Sequence, residues 1–254
     1  MTPELAAAAA VRPVGEVESA WTTDPGVLRR ARALALNGWS FYLAGRAGVL
    51  GDDVHPETLA AALGTVAPDA LRTGWDAARP VGPSTVAAAR LAECARWGTT
   101  TLAEVSDNRL ADLLTRVVGG ADAVAMPVFA ATRAMVSATI DAAPTADSAQ
   151  VALLVHALAE HRAGAMLLAC RALGLRPVEV LIAGPEGEQE AITCGWSPPF
   201  PPRISVLRRY TLATALADRI TGCAYAVLDA GERVELVDRL TTVAAAVANC
   251  STAG

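Results

Sequence analysis

Gly38-Trp39-Ser40-Phe41-Tyr42-Leu43-Ala44-Gly45-Arg46-Ala47-Gly48 and His156-Ala157-Leu158-Ala159-Glu160-His161-Arg162-Ala163-Gly164-Ala165-Met166 are the two stretches on which the reading of this chain turns. Each carries an arginine into an apolar segment and contains Arg-Ala-Gly. Each is followed about thirty residues on by Gly-Trp, at Gly74-Trp75 and Gly195-Trp196. A guanidinium cannot shed its charge, so placing one on an apolar helix demands an acidic or polar partner, or a ligand that supplies one. The match between the segments predicts an all-α protein of two pseudo-repeated helical halves, with little or no sheet.

Composition supports helices. The 254 residues are 53% hydrophobic but only 4% aromatic, and much of the apolar content is alanine. Alanine favours helix and close helix approach while burying little area per residue. The net charge of −5, with every basic residue an arginine, disfavours a surface built for nucleic acid. Cys94, Cys170, Cys194, Cys223 and Cys250 form no CxxC pair, which suits buried free thiols in a reducing, cytoplasmic setting. No uncharged internal run reaches the length of about 18 residues that a membrane span needs, so no membrane partner is expected.

Residues 1–23 read as a loosely tied, flexible N-terminal arm. Residues 24–142 form the first helical half and 143–254 the second, packed as one globular unit. Asp24-Pro25 opens a helix that runs through Trp39 to Leu43 and ends near Gly48–Gly51. Helices starting at His55-Pro56 and Ala67-Pro68 end at Gly64 and Ala78, a helix-turn-helix by shape. A long helix begins at Ser84, and Asp107 and Pro127 mark breaks. Ala143–Asp147 is a turn before a helix over Ser148–Leu173. A short strand is allowed at Val178–Ile182. Pro185–Pro202 reads as an irregular loop ending in an extended proline strap, and helices resume over Ile204–Leu216 and Glu232–Ala248.

At these segments the chain resembles an actinobacterial family of helix-turn-helix, or winged-helix-like, proteins. A Gly-aromatic-x-x-Tyr-x-Ala-x-Arg signature stands here as Gly38-Trp39-Ser40-Phe41-Tyr42-Leu43-Ala44-Gly45-Arg46. A Glu-His-Arg signature stands as Glu160-His161-Arg162, with further likeness over Ala67–Leu71 and Met126–Met135. The second signature continues in the family with an acid and a second histidine, which are Gly164 and Met166 here. The wing that follows Gly-Trp in the family is missing, since Gly195-Trp196 leads into the proline strap. The resemblance therefore implies a winged-helix-like framework that has lost its DNA-reading wing.

Candidate chemistry centres on Arg46, Glu160, His161 and Arg162. The arginines can hold a carboxylate, enolate or phenolate oxygen, and Glu160 or His161 can move a proton. The competing reading is an internal salt bridge from either arginine to Glu160 or an aspartate. His156 and Glu160 share a helix face at i, i+4, without a third ligand at metal-site spacing, so no metal is expected. Trp39, Tyr42, Trp75, His156, Trp196 and Phe200 are the candidate substrate-binding residues, as a flat aromatic pocket. Arg203, Arg208, Arg209 and Arg219 are expected to pair with Glu186, Glu188 and Glu190. No phosphate loop, dinucleotide fingerprint or nucleophile elbow occurs, so no cofactor is expected.

The expectation is a small-molecule-binding protein of specialised metabolism. It would act as a cofactor-independent acid/base enzyme performing a cyclisation, isomerisation or dehydration. Alternatives are a ligand-responsive helix-turn-helix regulator and a non-catalytic partner of a biosynthetic enzyme. The partner is a small-molecule substrate or effector, and small residues at helix contacts also suit a homodimer.

Overall fold

The computed structural model describes residues 1–142 and 146–252, with side chains through Asn249. Every regular element among them is helical. Proline marks many of the starts: α1 (Pro3–Thr22), α2 (Pro25–Ala33), α4 (Pro56–Leu63), α5 (Pro68–Ala78), α6 (Pro83–Thr101), α8 (Pro127–Ala142) and α10 (Pro177–Ala183) all begin at one. The lost N–H is one that a helix start leaves unbonded anyway, and the fixed φ already suits the helix. The remaining helices are α3 (Gly38–Ala47), α7 (Asn108–Gly120), α9 (Asp147–Ala172), α11 (Glu188–Thr193), α12 (Arg203–Tyr225) and α13 (Ala230–Thr252).

The expected N-terminal arm is helix α1, started by Thr2, whose hydroxyl accepts from the Leu5 N–H. It presents Ala6, Ala10, Val14, Val17 and Trp21 on one buried stripe at helical spacing. That stripe packs on α9, α12 and α13, so the two ends of the chain meet.

The helix expected to run from Asp24 to Leu43 is two helices. Leu36 N–H bonds the Ala31 carbonyl and Ala35 N–H bonds that of Arg32, with Ala35 at φ 56°. This is a Schellman stop with alanine in the left-handed position that glycine usually takes. Asn37 then caps α3 by accepting from Ser40 N–H at 2.7 Å. The strand allowed at Val178–Ile182 is helix α10, because Pro177 starts it and the Glu179 carboxylate accepts from Arg176 N–H at 2.8 Å. The segment read as a loop contains α11 before the strap. Helices α12 and α13 extend beyond the expected bounds. Residues 143–145 of the expected turn lie outside the described residues.

Helix α9 is the spine. Its 18-residue apolar window is 61% buried by the helices around it, which is how a core helix uses the length and hydropathy of a membrane span. Gly98 of α6 allows close approach, since a Cβ there would meet Ser148 and Ala152 of α9. Gly45 of α3 is likewise covered by the Arg90 side chain of α6. A second, smaller core of Leu43, Leu59, Leu63, Leu71 and Trp75 holds α4 and α5 against α3. Cys94 and Cys170 are buried as expected, Cys194 is half-buried and Cys223 is exposed, and all four are free thiols. Cys250 lies outside the residues whose side chains are described.

Candidate functional site

An apolar helix buried on every side should stay covered along its length. In α9 the coverage is nearly complete from Ser148 through His161 and then fails on one side, while Ala165, Ala169 and Cys170 stay buried on the other. Ala163 is exposed, and Arg162, Gly164, Met166, Leu167 and Leu168 are only half-buried, although the sequence remains almost wholly apolar. Three cavities open against this stretch, and Ala163 lines all of them. The first, about 400 Å³, lies between α9, the 3-10 turn Gly48–Leu50, α4 and the start of α8. The second, about 680 Å³, lies between α1, α9 and α12. The third, about 240 Å³, lies between the end of α4, the end of α9 and α10.

A buried ionic layer separates these spaces. Arg46 of α3 donates two parallel hydrogen bonds to Glu160 of α9, Nε to Oε1 at 2.6 Å and Nη2 to Oε2 at 2.7 Å. Its Nη1 donates to the Tyr42 hydroxyl at 3.2 Å. Burial opposes ionisation of the 5%-exposed Glu160, yet the Arg46 charge and hydrogen bonds outweigh it and hold the carboxyl below its ordinary range. Across Tyr42 lies a second cluster. Arg90 reaches Glu18 at 3.2 Å, its Nη1 lies 3.1 Å from His156 Nε2, and His156 Nδ1 lies 3.1 Å from Glu18. Trp21 Nε1 also donates to Glu18, at 2.7 Å. Burial would raise Glu18, but His156 and Arg90 bring it down to about 2. The Tyr42 ring sits between the two guanidinia, whose central carbons lie 5.6 Å (Arg46) and 5.4 Å (Arg90) from its centroid.

The sequence-derived residues are therefore partly gathered and partly scattered. Arg46, Tyr42, Glu160 and His156 meet in the ionic layer. Arg162 does not join it, because it pairs with Asp218 of α12 at 2.6 Å, an ionic contact without the alignment of a hydrogen bond. His161 is 2% exposed, its ring tilted against Phe129 at 4.6 Å. Burial and then the Arg133 charge push its pKa down to about 4, so it stays neutral at physiological pH. His156 and Glu160 share a face, but His156 is engaged by Arg90 and Glu18, and Glu160 by Arg46.

The flat aromatic pocket does not form. Trp39 stacks on Tyr42 with centroids 5.5 Å apart. Trp75, on α5, is fully buried in the small core with Leu43 and Leu59, its indole N–H without an acceptor among the described residues. Trp196 donates to the Thr65 carbonyl at 2.7 Å and packs with Phe200 in a separate small cluster around Leu181 and Ile182. Of the aromatic candidates, Tyr42 alone lines one of these three cavities. The pairing expected for the α12 arginines also differs: Arg209 reaches Glu179 and the Gly174 carbonyl, and Arg203 reaches the Ala183 carbonyl. Glu18 and Arg90 are central and were not singled out from the sequence. The rule applied to Arg46, an arginine amid small apolar residues, also fits Ala87-Ala88-Ala89-Arg90-Leu91-Ala92.

The helix-turn-helix of α4 and α5 turns its apolar face inward through Leu71, Trp75 and Ala78. Its outward face pairs Arg72 with Asp69 and Arg79 with Asp76, leaving that surface with no net charge from these four residues. No curated protein and no solved structure matches the chain. A family model does match residues 7–200, from within α1 into the proline strap and so including every wall of the first and third cavities, and the chain belongs to that helix-turn-helix family.

Proposed function

We propose that this member of the helix-turn-helix family binds an apolar small molecule against the uncovered stretch of α9. The observation that carries the reading is the break in coverage after His161. Ala163, Gly164, Met166, Leu167 and Leu168 keep the composition of a core helix, yet they line cavities of 240 to 680 Å³, while Ala165 between them stays buried. Leaving such surface open forgoes burial worth about 25 cal/mol per Å², which an apolar ligand would recover.

Binding without chemistry is better supported than the acid/base enzyme. Catalysis by Arg46 and Arg162 requires guanidinia free to hold developing charge, and both are neutralised by carboxylates within the protein. Glu160 is engaged by Arg46 through both oxygens, which removes it as a base. His161 is the remaining candidate for proton transfer, since it is neutral and lines the second cavity. A ligand-responsive regulator is favoured by family membership alone. The charge-balanced outer face of α5 argues against groove reading, which needs unpaired donors.

Two titrations test the proposal. The dye 8-anilinonaphthalene-1-sulfonate should bind the folded wild type saturably, and Ala163→Phe, which fills space shared by the cavities, should weaken that binding severalfold with the fold retained by circular dichroism. Equal dye binding by the two proteins would contradict the proposal. Anisotropy of a labelled DNA duplex should show no salt-dependent association, and affinity falling steeply with salt would favour the regulator instead.

A further inference from the structure

Three arginines line the cavities, and they differ in one respect. Arg46 is held by Glu160 and Arg162 by Asp218, whereas Arg171 has no carboxylate, carbonyl or ring on its guanidinium among the described residues. It lies in the last turn of α9 and borders both the first and the third cavity. Arg46, Leu63, Ala163 and Leu167 border the same two cavities, so Arg171 stands over adjoining apolar spaces separated by the Leu63 and Leu167 side chains. Five N–H donors next to apolar walls fit a molecule with an apolar body and one anionic oxygen group. The second cavity has the opposite polarity. Its cation is already paired, and it is lined by Glu18 and by Glu190, whose carboxyl is held above its ordinary range by burial and then by Glu186.

We infer that the ligand of the first and third cavities is an amphipathic carboxylate, its hydrocarbon or ring body against Leu63, Ala163 and Leu167 and its carboxylate on Arg171. The inference rests on the binding reading above and adds the charge of the ligand. A planar guanidinium takes a carboxylate through two parallel bonds, and the exposed side of Arg171 lets that end of the ligand remain partly hydrated.

The test uses decanoate and 1-decanol, which share an alkyl body and differ in charge at neutral pH, titrated calorimetrically into the wild type, Arg171→Met and Ala163→Phe. The wild type should bind decanoate about tenfold more tightly than decanol, the size of one charge-assisted contact. Arg171→Met should erase that preference, bringing decanoate down to the affinity of decanol. Ala163→Phe should weaken both ligands. Equal wild-type affinities, or a preference that survives Arg171→Met, would overturn the assignment of Arg171 while leaving the binding reading in place. Binding of neither molecule, or binding of both unaffected by Ala163→Phe, would overturn the binding reading and this inference together.

Discussion

Arg46 and Glu160, separated by 114 positions in the chain, meet as a two-bond ion pair that ties α3 to the middle of α9. A pair so buried brings less net stability than its geometry implies, because desolvation opposes it, but breaking it strands a charge. Glu160→Ala should therefore cost about 3–5 kcal/mol in urea unfolding at pH 7, and Arg46→Met combined with Glu160→Leu should recover most of that loss. A double variant no more stable than Glu160→Ala would show that Arg46 has a role apart from this pair.

The Schellman stop at the end of α2 places Ala35 at φ 56°. An L side chain is strained there and glycine is not, although glycine also loosens the unfolded chain. Ala35→Gly is expected to raise stability by a few tenths to about 1 kcal/mol in the same denaturation assay. A loss of stability would mean the turn is not held in this conformation.

His161 gives a pH signature. Its pKa falls from 6.5 to about 4 on folding, so between those values the unfolded chain binds the extra proton. The stability it contributes is fully present above pH 6.5 and is lost as pH falls through that window, a loss on the order of 3 kcal/mol. Glu18 acts in a lower window, since a carboxyl lowered to about 2 contributes stability that is lost only below its ordinary value of 4.5. Unfolding curves between pH 7 and 4.5 should slope for the wild type and lie nearly flat for His161→Leu. Parallel slopes would contradict the burial assigned to this imidazole.

Helix α1 covers Arg90 and His156 with Glu18 and forms one wall of the second cavity. Deleting residues 1–22 should remove that cover together with the buried stripe ending at Trp21, and abolish cooperative unfolding by circular dichroism. Glu18→Gln, which keeps the packing, should remain folded but less stable by about 1–3 kcal/mol. A truncated chain with wild-type stability would restore the loosely tied arm.

The helical class was legible because proline and Asp, Asn or Thr caps punctuate the chain, as Pro56, Pro68, Asp107 and Pro127 show. What was missed had weaker local signals. Ala6 and Ala10 contribute little apolar area, so the stripe of α1 reads as low-complexity alanine until Trp21 is seen packed. Ala35 conceals a helix stop that Gly174 announces openly at the end of α9, with φ 66° and the same bonding pattern. Val178, Val180 and Ile182 favour a strand by shape, but Pro177 and Glu179 set a helix start that decides the local outcome. At the site, Arg46 and Glu160 were recoverable because a buried guanidinium must find an acid. The partner of Arg162 was not, because Asp218 comes from a helix whose approach only tertiary packing determines. The aromatic residues were grouped by their proximity to the motifs in sequence, and the fold sends Trp75 and Trp196 to separate cores.

The most direct test of ligand binding at α9 uses methionine methyl signals as position-specific reporters. Met126 lines the first cavity and Met166 the second and third, while Met1 and Met135 line none of them. With methyl-labelled methionine, titration with decanoate should shift the Met126 and Met166 resonances saturably and leave Met1 and Met135 in place. Unmoved signals at Met126 and Met166 up to the solubility limit of decanoate, or equal shifts at all four, would contradict a ligand chamber along the uncovered stretch of α9.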